Sequence, residues 1–290
     1  MTDPRPDRVS ACPEPDRLAQ VAGFVQQYLE GGQRADEFGF DPDFNASVLM
    51  PIARLLYRNW FRVRMRGLEH VPDSGGALVV ANHGGVLPFD MIMVQAGLFY
   101  EHRRHRNLRL LGADLIYEVP LLAELARKSG HTIASRSEAA RLLAAGELVG
   151  VCPEGYKGTG KPFYDRYKLR RFGRGGFART AIRAGVPIIP CSIVGAEEIY
   201  PMIGNARWLA KALGLPYFPV TPLFPWFGLL GAIPLPSNWI IEFGAPVPTD
   251  GYGAAAADDE LAVADLAGRV RDGIQRKVGD LLAERGPAFG

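Results

Sequence analysis

ALVVANHGGVLPFD, residues 77 to 90, decides the fold. Residues 77 to 81 are apolar without a polar alternate, so a strand here must be covered on both faces. Asn82 and His83 end the run, and Gly84 and Gly85 let the chain turn tightly. Asp90 then opens MIMVQAGL, which reads as a helix over 90–98. Buried strand, tight turn and helix together form a unit of an α/β protein. Further strands are predicted at 108–112, 148–152, 187–195 and 239–244, the first ending at 82. Helices are predicted at 119–128, 137–145, 174–184 and 258–285. FRVRMRG, residues 61–67, sets Phe61, Val63 and Met65 against Arg62, Arg64 and Arg66, the pattern of a half-buried strand. The expected architecture is α/β, with a mixed, mostly parallel central sheet sandwiched by helices.

Towards the N-terminus, DRLAQVAGFVQQYLE reads as an amphipathic helix capped by Asp16. The Pro-rich polar stretch before it does not have the form of a signal peptide and is expected to be disordered. PIARLLYRNW, 51–60, reads as a short helix with Pro51 in its first turn. The chain divides into a tail and helix over 1–44 and one domain over 45–286.

Composition narrows the function classes. The chain has 290 residues, 48% of them hydrophobic and 22% charged, which suits a globular protein with an ample core. A net charge of +2 gives no global field for nucleic acid. Three cysteines, Cys12, Cys152 and Cys191, point to reduced thiols in a cytoplasmic protein. Residues 212 to 241 carry no charge but six prolines, which argues against a helix that spans a bilayer. That segment either closes the core or meets a membrane surface with its aromatic residues, helped by Arg54, Arg58 and the arginines of 62–66. No GxSxG or HExxH occurs. His102-Arg-Arg-His105 reads as a solvated basic loop, not a metal site.

In α/β sheets, functional groups gather beyond the carboxyl ends of strands. At one such end stand His83, a suitable general base near neutral pH, and Asp90, which can fix its tautomer. The plainer reading is a histidine ending a strand and an aspartate capping a helix. At a second end, LVGVCPEG places Glu154 and Gly155. The loop beyond fits the GxxxxGK half of a phosphate-binding P-loop from Gly155 to Lys161. Pro162 stands where that motif needs a magnesium-binding hydroxyl, so the nucleotide reading fails. From 154 to 179 eight lysines and arginines face two acidic residues, a candidate anion site. Cys152 reads as a small buried hydrophobe.

NHGGVLPFD and VCPEG, in this order and about seventy residues apart, resemble motifs I and III of the glycerolipid acyltransferases. VPDSGGALVVANH resembles the approach to motif I, GHTIASRSEAARLLAAGE the region of motif II with Arg136 at its basic position, and GVPIIPCSIVGAEE motif IV. The resemblance covers roughly residues 45 to 285 and implies that family's fold. Two departures stand out. Six residues separate His83 from Asp90 where four are usual, as in the branch resembling mono- and diacylglycerol acyltransferases. Motif III continues Tyr156-Lys157 in place of Ser or Thr and then Arg.

The resemblance implies an O-acyltransferase without metal or cofactor. His83, oriented by Asp90, would deprotonate a hydroxyl of a glycerolipid or lysophospholipid for attack on the thioester of an acyl-CoA or acyl carrier protein. Asn82, Arg136, Glu154, Gly155, Lys157 and Arg171 would bind the substrates. It also implies work at a membrane surface, on the cytoplasmic face. A thioesterase using the same pair on water, and a non-catalytic lipid-binding protein, are the alternatives.

Overall fold

The computed structural model describes residues 35–289. The helix expected from Asp16 lies outside them. The strands are β1 (Arg64–Arg66), β2 (Ala77–Ala81), β3 (Leu108–Gly112), β4 (His131–Ile133), β5 (Leu148–Val151), β6 (Ile188–Val194), β7 (Gly204–Asn205), β8 (Pro219–Val220) and β9 (Ile240–Phe243). The helices are α1 (Met50–Leu55), α2 (Phe89–Glu101), α3 (Pro120–Lys128), α4 (Arg136–Ala144), α5 (Tyr156–Thr159), α6 (Gly176–Ala184), α7 (Arg207–Ala212) and α8 (Glu260–Arg285). α1 sits within a longer helical run, 42–60, whose flanking turns at Asn45–Leu49 and Leu56–Trp60 are π-helical.

Seven strands form one sheet in the order β1-β9-β6-β2-β5-β3-β4. The five strands from β6 to β4 are parallel, while β9 runs antiparallel to β6 and carries β1 parallel to itself. The sheet is therefore mixed and mostly parallel, as expected. β2 is buried at every residue. Its Ala77, Val79 and Ala81 join one apolar cluster with α1 and α2, and its Leu78 and Val80 join another with α4, α6 and α8. Two covered faces explain why the sequence of this strand lacks alternation.

Several expectations need correction. The strand expected over 61–67 is paired only at Arg64–Arg66, and β4 was not foreseen. His102 is not solvated: it is 1% exposed, with Nε2 3.1 Å from the Val71 carbonyl. Residues grouped with the tail pack on the domain. Phe40 is buried, and Asp36 accepts a 2.7 Å hydrogen bond from the buried Arg109.

The connections place the site. From β2 the chain crosses β5 to reach β3 by way of α2. From β5 it crosses β2 to reach β6 by way of α6, on the opposite face. The chain thus leaves the adjacent carboxyl ends of β2 and β5 in opposite directions. A crevice opens at such a switch point, where α/β proteins bind their ligands.

Candidate functional site

His83 leaves β2 at this crevice, with 17% of its side chain exposed. Its Nδ1 lies 2.6 Å from Oδ2 of Asp90, which is fully buried in the first turn of α2. The six-residue spacing is absorbed by a bulge over 84–89. Gly85 takes φ +82° there, a backbone that L side chains rarely adopt. The Gly84 amide donates to Asp90 Oδ2 at 3.0 Å, and the Met91 amide to Oδ1 at 2.8 Å. The carboxylate is thereby locked on the ring, and Nε2 is the nitrogen left to take a proton. Burial opposes a charge on this ring, but the Asp90 carboxylate outweighs it. The pKa of His83 is held well above the ordinary histidine value.

Asn82 and Glu154 turn out to be braces. Asn82 uses both ends of its amide on β6, donating to the Ile193 carbonyl at 2.9 Å and accepting from the Ile193 amide at 2.8 Å. It extends the β2–β6 ladder by a side chain. The Glu154 carboxylate is completely buried. It accepts from the His83 amide at 3.0 Å and from the Arg170 amide at 2.6 Å. One carboxylate thus ties His83 to the basic loop.

The lysine of the P-loop-like stretch is also internal. Lys161 is 5% exposed, with Nζ 2.8 Å from Glu197 and 3.6 Å from Glu154. Burial pushes the Glu197 carboxyl up to about 7 against the pull of Lys161. A cavity of about 10 Å³, lined by Gly85, Gly158, Lys161 and Glu197 among others, has room for about one water. Gly158 is required by packing. A Cβ there would stand 2.8 Å from the Glu154 Cβ and 3.0 Å from the His83 Cβ.

The basic stretch is smaller than its composition suggests. Besides Lys161, Lys168 and Arg170 pair with Asp165, and Arg179 with Glu260. Lys157, Arg171 and Arg174 are exposed and carry no ion pair among the described residues, and neither does Arg136 at the start of α4. Gly155 is exposed, with φ +54°, at the turn into α5. The structure therefore gathers His83, Asp90, Asn82 and Glu154 in one place, while the side chains of Arg136, Lys157 and Arg171 are exposed. Of the arginines expected to face lipid, Arg62 bonds to Asn238 and Arg66 to Glu284.

Sequence reasoning missed Cys152 as a neighbour of His83. His83, Asp90 and Cys152 bring a ring nitrogen, a carboxylate and a thiol within 4.8 Å of one another. The 2.6 Å nitrogen–oxygen separation is a hydrogen bond, shorter than the roughly 3.3 Å that two ligands of a tetrahedral zinc ion keep. Burial pushes the Cys152 thiol up in spite of His83, which keeps it protonated and a poor nucleophile. Its position follows from the parallel register Val80↔Val151, which no local pattern encodes.

A family model described as acyltransferase matches residues 62–194, from just before β1 to the end of β6. An uncharacterised protein of Mycobacterium tuberculosis is 53% identical over 272 residues, covering 94% of this chain and 76% of that one. The human "DGAT1/2-independent enzyme synthesizing storage lipids" is 27% identical over 169 residues, or 57% of this chain and 51% of that one. Among solved structures, the 1-acyl-sn-glycerophosphate acyltransferase PlsC of Thermotoga maritima shares the fold. Its TM-score is 0.55 at 20% identity, with 92% of this chain and 95% of that one covered. A relative that is more than half identical over nearly the whole chain, and a family match on the strands that carry the site, lead to one conclusion: this chain belongs to the acyltransferase family.

Proposed function

We propose that the protein transfers a fatty acyl group from a thioester, acyl-CoA or acyl carrier protein, to a hydroxyl of a glycerolipid. The observation that carries this reading is the His83–Asp90 pair, closed at 2.6 Å at the switch point of a sheet from this family. His83 takes the hydroxyl proton, the alkoxide oxygen attacks the thioester carbonyl, and collapse of the tetrahedral intermediate expels the thiolate, which His83 reprotonates. Asp90 stabilises the imidazolium between these steps, and no metal or cofactor takes part. Arg136, Lys157 and Arg171, exposed and without an ion pair among the described residues, are available to the phosphates of the donor. The protein works as a peripheral protein on the cytoplasmic face of the membrane. No helix among the described residues is long and apolar enough to cross one.

The acceptor is a mono- or diacylglycerol, a neutral glyceride whose reactive hydroxyl does not depend on a neighbouring phosphate. Three observations favour this. Lys157 offers a point charge where a planar guanidinium would hold a phosphate by two hydrogen bonds. The longer His-to-Asp spacing closes without loss of the pair. The human relative is named for making storage lipids. Specificity constants for monoacylglycerol and lysophosphatidate of equal chain length test the assignment, in wild type and in Lys157→Ala. Monoacylglycerol is expected to be preferred, with little effect of the substitution. A preference for lysophosphatidate that Lys157→Ala abolishes overturns it.

A further inference from the structure

Two groups of large apolar side chains stand in solvent, and the topology puts both on the edge of the sheet that carries His83. The first is the lobe between β6 and β9, which leaves from Val194 and returns at Ile240, residues paired across the ladder. Trp208 is 75% exposed and Trp226 71%, and Phe227, Leu230 and Ile233 are also more than half exposed. The second is α3, which follows β3 beyond its carboxyl end. This helix buries Ala123 and Ala126 and turns Leu121, Leu122 and Leu125 outward, with Leu121 77% exposed. Small residues inside and leucines outside invert the usual pattern of a surface helix. Single exposed apolar residues need no explanation, but grouped ones mark a contact surface.

The two groups stand on opposite sides of the crevice, because β6 lies on one side of the β2–β5 pair and β3 on the other. The lobe also touches the catalytic bulge. Tyr217 Oη donates to the Val86 carbonyl at 3.2 Å, and its ring lies 3.0 Å from the place a Cβ would take on Gly160. Between residues 199 and 241 the only charged residues are Arg207 and Lys211, both exposed. α3 and the turn before it also carry the exposed Glu118 and Glu124, the latter 2.8 Å from Lys128. The lobe, with apolar aromatic tips and only positive charge, is complementary to an anionic lipid layer. Aromatic rings settle among headgroups there, and basic residues add attraction.

We propose that this edge docks on an anionic bilayer, with the 199–238 lobe and α3 as two apolar walls that enter the interface on either side of the His83 crevice. An acceptor dissolved in the bilayer then reaches the base without crossing bulk water. This docking surface rests on the acyl-transfer reading and adds to it the orientation of the protein. It replaces the arginine row of 62–66, partly consumed by Asn238 and Glu284.

The test uses the full chain with phosphatidylcholine vesicles, with and without phosphatidylglycerol, at low and high salt. Binding is read by co-sedimentation and by the blue shift of Trp208 and Trp226. Two paired variants probe the walls separately, Trp226→Ser with Leu230→Ser, and Leu121→Ser with Leu125→Ser. Wild type is expected to bind the phosphatidylglycerol vesicles and to release as salt rises. Each paired variant should bind roughly tenfold or more weakly, since each removes two large apolar side chains from the contact. Turnover of a short-chain, water-soluble acceptor should stay within about twofold of wild type. Variants that bind vesicles like wild type, or a wild type that ignores them at low salt, overturn the proposal. So does a loss of self-association in the variants with vesicle binding unchanged, which makes the face a protein interface. Vesicle binding that depends on both walls, without acyl transfer to any acceptor, leaves the docking surface standing and removes the catalytic reading.

Discussion

In the proposed acyl transfer His83 and Asp90 have separate duties, and the pH dependence of turnover separates them. A general base must be neutral, and the Asp90 carboxylate, against burial, holds the His83 pKa well above its ordinary value. Activity should therefore rise with pH and reach half its plateau above about 6.5. His83→Ala should lower kcat by about a hundred- to ten-thousandfold. Asp90→Asn removes the charge and leaves burial to dominate, so the acid limb should move to lower pH while the plateau falls. A plateau that drops with no movement of the limb contradicts the assigned coupling. The same linkage acts on stability. The His83–Asp90 contribution is fully present below about pH 6.5 and is lost as pH rises through the higher folded-state value. The pair was legible in sequence because a buried strand, two glycines and a helix start frame it. The work of Glu154 was not legible, since its partners are the backbone amides of His83 and Arg170, set by the fold alone.

At the level of elements, the loop after β5 is held by a buried charge network. Lys161 is the cation shared by Glu154 and Glu197. Lys161→Met strands both carboxylates and should cost about 3–5 kcal/mol in denaturant unfolding. Lys161→Met combined with Glu197→Gln should cost clearly less, because one stranded charge goes with it. Equal losses in the single and double variants contradict the network. Gly158→Ala forces a methyl into the Glu154–His83 contact and should cost about 1–3 kcal/mol, with kcat reduced because the base shifts. The GxxxxGK pattern was thus a correct sign of an unusual loop and a wrong guide to its ligand. Strands buried on both faces were readable from their unbroken apolar runs. β4, only His131–Ile133, was too short to show a period. In α3 the leucines that would suggest an inward face point outward, and Ala123 and Ala126 are the residues buried.

Across the whole molecule, one topological feature assembles the candidate site. The chain leaves β2 and β5 in opposite directions, so their ends part and hold the His–Asp pair at the mouth of a crevice. The excursions after β3 and β6 rise on the same edge and flank it with apolar residues. Alternation of strands and helices announced this architecture. The order of strands did not appear in the sequence, because it depends on which faces the connecting helices cover. The central claim is acyl transfer to a glycerolipid hydroxyl by His83. It is tested most directly by following labelled acyl-CoA in the presence of monoacylglycerol and identifying the product. The account predicts labelled diacylglycerol formed in step with free CoA by wild type, and at least a hundredfold less by folded His83→Ala. Labelled free fatty acid released at the same rate with or without any acceptor contradicts it, and so does ester formation undiminished in His83→Ala.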